Sequence, residues 1–285
     1  MTTTSDRLPE LERYYDTAPR AGGARAEDFG PLTLFVQESD GWPYYARPTL
    51  AAPSAEGVSV TEGVSVAEGV SVADVERVLS RQRELKVPEA FEWVAETTPS
   101  LRSAAEAAGL TVHAHPLMVL DPTAVRLPVH PDVRVLGAAD PLLRPAVTVP
   151  MLAFAAPGTA VGEAGPAELA VAEKDPASEG RRVRVAGMIE SGRTALAAAV
   201  RDGVVLCSGQ YVPVGDVAEV VGVGTLPSAR RQGLALAVTA ALVADALARG
   251  ARTIFLSAGD EDVARLYARL GFRSVGTALI ADRPL

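Results

Sequence analysis

The chain has 285 residues, 48% of them hydrophobic, and a formal net charge of -8. This length suits one large domain or two ordinary ones, and the net negative charge argues against non-specific binding to nucleic acid, whose affinity comes mostly from Lys and Arg contacts to phosphate. The sequence contains no apolar run of ~20 residues and no N-terminal signal-peptide pattern. We therefore expect a cytoplasmic protein that binds neither membranes nor nucleic acid.

The N-terminal segment predicts a loosely organised start to an α/β region. Residues 1–30 are polar and predict one short helix around Leu8 to Tyr15, and residues 31–50 predict two strands joined by a turn at Asp40 and Gly41. Residues 56–72 contain the sequence Glu-Gly-Val-Ser-Val three times. Three copies are too few for a solenoid, so we expect an expanded surface loop there.

Two parts of the chain have the same order of predicted elements, which is helix, strand, helix, strand. In the first part these are residues 73–85, 91–94, 101–108 and 111–120, and in the second they are residues 234–249, 253–256, 263–270 and 273–280. We interpret them as a tandem repeat with two domains, 1–125 and 126–285, separated where prolines become frequent. The alternative is coincidence between two common motifs.

The region between the two repeats predicts further strands and helices. It comprises predicted strands at residues 133–136, 194–201, 204–212 and 217–226 and predicted helices at residues 141–154 and 167–173, with a tight turn at Asp202-Gly203. Antiparallel strands followed by a strand, a loop, a helix and a strand predict a mixed sheet with helices on its faces. The fold class is therefore α/β, with an α+β type of mixed sheet.

The hexapeptide from Arg230 to Ala235, which is Arg-Arg-Gln-Gly-Leu-Ala, lies between a predicted strand and a long apolar helix. A helix N-terminus offers unpaired N–H groups and a partial positive charge to a phosphate. Gly233 and Ala235 are small enough for close approach, and Arg230 and Arg231 bring guanidinium donors. The pattern predicts a site for a pyrophosphate, although six residues of this kind alone have little specificity.

Three segments together resemble the GCN5-related N-acetyltransferase (GNAT) family. They are residues 218–227, the R-x-x-G-x-A pattern at 230–235, and Leu266-Tyr-Ala-Arg-Leu-Gly-Phe272, which matches the L-Y-x-x-x-G-F pattern of that family. The resemblance is clear over residues 133–285 and only a trace over residues 31–121. It implies a GNAT fold in the C-terminal half and a smaller, degenerate GNAT-like half before it, in which Ala105 stands where Tyr267 would be.

The resemblance implies that acetyl-coenzyme A is a cosubstrate and that no metal takes part. It assigns pantetheine and acetyl contacts to the backbone of Val223, Gly224 and Thr225. It assigns the pyrophosphate to the residues of the hexapeptide, which are Arg230, Arg231, Gln232, Gly233, Leu234 and Ala235. The implied reaction is direct transfer of the acetyl group to a primary amine of a small molecule or protein.

The resemblance also implies two catalytic residues. Tyr267 would protonate the departing thiolate, and Glu219 would accept the proton of the attacking amine. The alternatives are a Tyr267 packed on the sheet and a Glu219 that is merely solvated or paired. The function itself has alternatives as well: transfer of another acyl group, acylation of an amino-sugar or thiol-conjugate precursor, or a coenzyme A sensor without turnover.

Other candidate residues carry weaker signals. His113 and His115 alternate on a strand and suggest a metal pair, but no third ligand is evident nearby. Cys207, the only cysteine, suits a buried small side chain better than a nucleophile. The sequence leaves open the acceptor, for which the acidic charge mildly favours a cation, and also whether the protein is a monomer or a homodimer.

Overall fold

The computed structural model of the chain describes residues 7–38, 44–50 and 69–283. The predicted turn at residues 40–41 and residues 56–68 of the predicted repeat loop lie outside these ranges. The described residues form an α/β structure with a mixed sheet, as predicted. They divide into two compact units, Met1–Pro116 with Val275–Leu285, and Leu117–Ser274.

The first unit contains the N-terminal helices and strands. Its elements are α1 (Leu8–Ala21), β1 (Ala24–Asp28), β2 (Leu32–Gln37), β3 (Ala46–Pro48), α2 (Val72–Leu85), β4 (Ala90–Val94), α3 (Ser100–Ala107) and the start of β5 (Thr111–Leu120). Strands β1 to β4 lie in chain order, and residues 278–282 of the last strand, β11 (Phe272–Asp282), pair antiparallel with β4. The core of this unit forms where β2 and β4 pack against α2 and α3.

The second unit contains the remaining elements. They are β6 (Val133–Leu136), α4 (Leu143–Ala155), α5 (Pro166–Ala172), α6 (Pro176–Glu190), β7 (Ala195–Arg201), β8 (Val204–Val214), β9 (Val217–Thr225), α7 (Leu234–Ala248), β10 (Thr253–Ser257) and α8 (Glu261–Ala268). The strand order is β5-β10-β9-β8-β7-β6, antiparallel except for the pair β9 and β10. Helix α4 covers one face of β8 and β9, and α7 covers the opposite face.

Most predicted elements are confirmed within a few residues. Strand β6 occurs as predicted, and so does the turn at Asp202 and Gly203, two residues that each have a positive φ. Helix α1 extends to Ala21, well beyond the predicted end at Tyr15. Helix α2 begins one residue earlier than predicted, because Ser71 is its N-cap and shares a capping box with Asp74.

Two elements were missed. Strand β1 has the sequence Ala-Arg-Ala-Glu-Asp, which lacks the alternating apolar residues of a half-buried strand. Helix α6 buries only Ser178 and Val185, so its apolar periodicity is weak. Its start did carry a signal, since Asp175 caps the helix and Pro176 occupies the first position.

The sheet pairs the strands of the predicted repeat in an exchanged manner. If β4 and β5 correspond to β10 and β11, each unit contains the last strand of the other copy, because β4 pairs with β11 and β10 pairs with β5. The compact units therefore do not coincide with a single cut in the chain. The predicted domain boundary at residue 125 separates the two copies of the repeat, not the compact units, and it stays a prediction. Among the described helices, none has the length and apolar character needed to cross a bilayer.

Candidate active site

The predicted cofactor strand, β9, separates from its parallel neighbour. Residues 217–219 of β9 pair with residues 253–255 of β10, and β9 then continues to Thr225 without further pairing to β10 in the described strands. On its other side, β9 pairs with β8 as far as Thr225. The backbone of Val223, Gly224 and Thr225 therefore has one edge that faces away from β8 and is open to a ligand.

The two faces of β9 differ in what covers them. A Cβ atom built on Gly224 would lie 2.9 Å from the Cβ of Ala153 and 2.9 Å from the Cα of Pro150, so Gly224 points at α4 and has no room for a side chain. Thr225 points the other way, and its hydroxyl lies 3.2 Å from Cys207 Sγ. A register shift between β8 and β9, with Gly222 at a φ of 64°, bends the strand just before these residues.

A hydrogen bond next to Gly224 fixes helix α4 to the sheet, and a proline in α4 creates the need for it. Pro150 has no N–H, so the carbonyl of Ala146 loses its helical donor. The buried Ser208 of β8 donates to that carbonyl at 2.6 Å. The sheet therefore supplies the missing hydrogen bond, and α4 is held next to Gly224.

The loop before α7 presents a row of unpaired backbone donors. Gly233 is the N-cap residue, with a φ of 78° and no side-chain cap, and Arg231 also has a positive φ of 66°. In the part of the chain that the structure describes, the next backbone N–H after Arg230 that donates a hydrogen bond is that of Ala237, and its acceptor is the carbonyl of Gly233. The N–H groups from Arg231 to Leu236 thus remain available at the positive end of the helix dipole, which is an arrangement that fits a pyrophosphate.

The side chains of the hexapeptide are placed differently from the prediction. The Arg230 guanidinium does not extend into the loop but donates to the carbonyls of Ala153, Ala156 and Ala160, at 2.9, 2.5 and 3.1 Å. These carbonyls lie at and beyond the C-terminal end of α4, where a cation is favoured. The predicted guanidinium donor of Arg230 is thus used inside the protein, whereas Arg231 is exposed at the loop.

Gln232 is exposed and accepts a hydrogen bond from Arg201 at 3.0 Å, and Arg201 is also paired with Asp132 at 2.9 Å. Leu234 is buried, and its side chain anchors the first turn of α7 in the core. Ala235 is partly buried on that turn. These residues shape the loop and leave its N–H groups as the binding element.

Tyr267 is buried on α8 and packs edge-on against Phe272, with ring centroids 6.1 Å apart. Burial raises the pKa of its phenol, the neighbouring Cys207 raises it further, and a hydrogen bond with Thr239 lowers it. The phenol is therefore protonated at neutral pH, as a general acid must be. Through Cys207, Tyr267 shares the face of the sheet to which Thr225 points.

Glu219 lies on the opposite face. It pairs with Val212 of β8, and residues 208 and 212 of a regular strand point to the same side, which is the side of α4. Val223 lies four residues further along β9, or roughly 13 Å away along the strand axis. A proton reaching Glu219 from an amine beside Val223 would therefore have to travel through water.

The remaining candidates occupy other environments. Cys207 is fully buried, and burial raises the pKa of its thiol to about 12, as expected for a packing residue and not for a nucleophile. His113 is half exposed, with Nε2 at 3.7 Å from Asp282 Oδ1. In the ranges that the structure describes, no three His, Cys, Asp or Glu side chains form a metal-binding group.

Comparison with known proteins identifies the region that contains this site. Residues 168–272, which include β9, the loop and α8, match the Acetyltransferase (GNAT) family. This region is a GNAT domain. The predicted family and fold class are confirmed for this region, and membership of the GNAT family supports acyl transfer from an acyl-coenzyme A in general.

Solved structures share the fold over nearly the whole chain. A GCN5-related N-acetyltransferase from Kribbella flavida is 23% identical, with a TM-score of 0.64, and the match covers 98% of this chain and 96% of that one. A putative GNAT-family acetyltransferase from Novosphingobium aromaticivorans is 20% identical, with a TM-score of 0.51 and 94% of both chains covered. At these identities the likeness extends the GNAT fold beyond the matched domain.

A tandem GNAT protein from the clavulanic acid biosynthesis pathway is 16% identical, with a TM-score of 0.53, and the match covers 88% of this chain and 77% of that one. This likeness is consistent with the predicted tandem arrangement. A comparison with curated protein sequences gives no match.

Proposed function

We propose that the protein transfers an acetyl group from acetyl-coenzyme A to a primary amine by direct attack. The observation that carries this proposal is the row of unpaired N–H groups from Arg231 to Leu236, next to the open edge of β9. One element suits a pyrophosphate and the other an extended amide chain, and both occur together in a GNAT domain.

Acetyl-coenzyme A supplies the activated acetyl group as a thioester. We propose that the loop N–H groups and Arg231 hold its pyrophosphate, and that the backbone of Val223 to Thr225 binds the pantetheine and the acetyl oxygen. Donors fixed in advance at the oxygen where negative charge develops stabilise the transition state without reorganisation. The burial of Leu234 and Gly224 supports such a fixed arrangement.

In this proposal, Tyr267 and Glu219 move protons on opposite faces of β9. Glu219 accepts the proton of the ammonium through water on the α4 side, which leaves a neutral amine that attacks the acetyl carbon. Tyr267, kept protonated by burial, gives its proton to the departing sulfur on the α7 side, and the proton that the nitrogen loses as the amide forms returns through water to the phenolate. The opposed positions support separate roles because acceptor and leaving group lie on different sides of the reacting carbon.

The experiment is release of free thiol from acetyl-coenzyme A by the purified protein with a panel of primary amines. We expect thiol release that depends on the amine, with formation of the N-acetyl product detected by mass spectrometry. Gly233→Val is the loop variant, because a β-branched residue at positive φ distorts the phosphate site. Gly192→Val, at a positive φ in a turn outside the proposed site, is its matched control.

The two outcomes separate catalysis from simple binding. Turnover that is lost in the Gly233 variant and kept in the Gly192 variant supports the proposal. Thermal stabilisation by coenzyme A, without thiol release for any amine, would instead indicate a coenzyme A sensor and contradict it.

A further inference from the structure

A buried hydroxyl group lies beside the phenol of Tyr267. Thr239, in the second turn of α7, is fully buried, and its side chain forms a hydrogen bond with Tyr267 of α8. Tyr267 is buried as well, so water has little access to this contact. Buried hydroxyl groups need a hydrogen-bond partner, and the direction of this bond decides what Thr239 can do for the phenol.

Thr239 also contacts the first turn of its own helix. Its Oγ1 donates to the carbonyl of Ala235, four residues earlier, at 2.9 Å. A threonine hydroxyl has one proton to donate and two lone pairs that accept. While the proton of Thr239 points to Ala235, its oxygen can accept only from the phenol, and this arrangement satisfies both hydroxyl groups when Tyr267 is protonated.

The bond from Thr239 to Ala235 can be given up at low cost. The carbonyl of Ala235 lies inside α7, where it also accepts the backbone N–H of Thr239 as part of the regular helix. Rotation about the Cβ–Oγ1 bond turns the hydroxyl proton from this carbonyl to the phenol oxygen. The carbonyl keeps its backbone partner, and the phenol proton no longer has to point at Thr239.

A phenolate needs this second arrangement. When Tyr267 transfers its proton, the phenol O–H bond breaks, an S–H bond forms, and a negative charge stays on the phenol oxygen. Burial disfavours that charge, whereas a hydrogen bond donated to it favours it, and burial and Thr239 accordingly have opposite effects on the pKa of Tyr267. Thr239 keeps its own proton throughout.

The other neighbours of the phenol do not supply this stabilisation. Cys207 is fully buried and raises the pKa of Tyr267, so it acts against the phenolate. Phe272 contacts the ring edge-on and has no polar atom in its side chain. Of these three neighbours, only Thr239 can donate a proton to the phenol oxygen and so favour its charged form.

We propose that Thr239 is a positioning residue for the general acid. Its hydroxyl turns from the Ala235 carbonyl to the Tyr267 oxygen as the proton leaves, and it stabilises the phenolate until the proton released by the nitrogen returns. This inference rests on the proposed acid role of Tyr267. Thr239 acts only through Tyr267 and changes the rate of the chemical step without binding either substrate.

The kinetic test is Thr239→Val, which keeps the β-branched shape and removes the hydroxyl. We expect kcat to fall about tenfold with the KM for acetyl-coenzyme A unchanged, because a hydrogen bond to a charged group is lost. Thr239→Ser restores the hydroxyl and should recover most of kcat.

The matched control is Thr148→Val on α4, on the opposite face of the sheet. Thr148 is also fully buried, and it donates to the carbonyl four residues earlier, that of Arg144, at 2.9 Å. This control removes the same kind of helical hydroxyl away from the phenol and should keep the wild-type kcat.

A double variant separates positioning from packing. In Tyr267→Phe there is no phenol to stabilise, so adding Thr239→Val should not lower kcat further. The inference is overturned if the double variant is about tenfold slower than Tyr267→Phe, if Thr239→Ser is as slow as Thr239→Val, or if Thr148→Val slows the enzyme equally.

A measurement without turnover keeps this inference apart from the proposed function. A fluorinated tyrosine incorporated at Tyr267 ionises at lower pH than tyrosine, and fluorine NMR follows its titration. We expect its pKa to be higher in Thr239→Val than in the wild type and unchanged in Thr148→Val. If no amine gives thiol release, the proposed function fails. The stabilisation of the phenolate by Thr239 then holds if this difference in pKa is found, and it is overturned if the difference is absent.

Discussion

Substitution of Arg230 tests directly whether its side chain stabilises the fold or binds the phosphate. Its guanidinium gives three hydrogen bonds to carbonyls at and after the end of α4. Replacement by Met keeps the length of the stem but removes all of these donors. The matched control is Arg231→Met, because Arg231 is exposed one residue away and lies directly at the proposed pyrophosphate.

The size of the effect follows from the contacts. A hydrogen bond from a charged donor contributes roughly 1.5 to 3 kcal/mol when its loss leaves a buried group unsatisfied. Arg230 is only partly buried, so water can reach some of the freed carbonyls, and we expect a total loss of about 2 kcal/mol instead of the sum of the three. For a unit of this size, that lowers the melting temperature by roughly 4 to 8 °C.

The assay is thermal unfolding together with steady-state kinetics for both substrates. Arg230→Met should lower the melting temperature and leave the KM for acetyl-coenzyme A unchanged, because it removes only the hydrogen bonds that hold the end of α4 and the segment after it. Arg231→Met should leave the melting temperature unchanged and raise the KM for acetyl-coenzyme A. Arg230→Lys should recover part of the stability, since an ammonium can still donate to one or two of the carbonyls.

One result would refute this reasoning. If Arg230→Met unfolds at the wild-type temperature and raises only the KM for acetyl-coenzyme A, its side chain leaves the end of α4 in the complex and binds the pyrophosphate. The original expectation of two guanidinium donors at the loop would then be correct.

Three other predictions address proton transfer and buried charge. Tyr267→Phe should reduce kcat about a hundredfold without loss of affinity for acetyl-coenzyme A, measured by kinetics and calorimetry, and full turnover would remove Tyr267 from the mechanism. Glu219→Gln should reduce kcat/KM most strongly at low pH, where more of the amine is protonated; a pH-rate profile parallel to that of wild type would contradict its role. Burial raises the pKa of Glu92 to about 7, and the positive charge of Arg47 acts against this rise. The folded protein therefore keeps a proton that the unfolded chain loses near pH 4.5, so the free energy of unfolding falls as the pH rises between these two values. The full shift corresponds to about 3 kcal/mol, but Glu92 keeps some exposure. By urea unfolding, we therefore expect Glu92→Gln to be about 2 kcal/mol more stable than wild type near pH 8 and equally stable near pH 4, below both pKa values.

The sequence was most informative where several local signals agree. Strand β9, Gly233 and the start of α7 follow directly from an apolar run, a small residue at a helix start and a second apolar run. Helix α8 and the position of Tyr267 were equally predictable from their motif. In these places the backbone itself forms the proposed site, so the local pattern carries the information.

Side-chain partners across long sequence separations were not predictable. The carbonyls that bind Arg230 lie 70 to 77 residues earlier in the chain, and no local pattern connects them to it. The same holds for Ser208 and Ala146, 62 residues apart. Such features depend on which face of a strand meets which helix, and this is fixed only by the assembled sheet.

The exchanged strands also have a consequence for biosynthesis. Strand β4 pairs with β3 on one side, and on its other side residues 90–94 pair with residues 278–282, which come much later in the chain. A ribosome makes residues 1–116 of the first unit early, yet that unit cannot complete its sheet until residues 278–282 have left the exit tunnel. Until then an open β4 edge is exposed to other nascent chains, and a stop codon near residue 125 would make that exposure permanent.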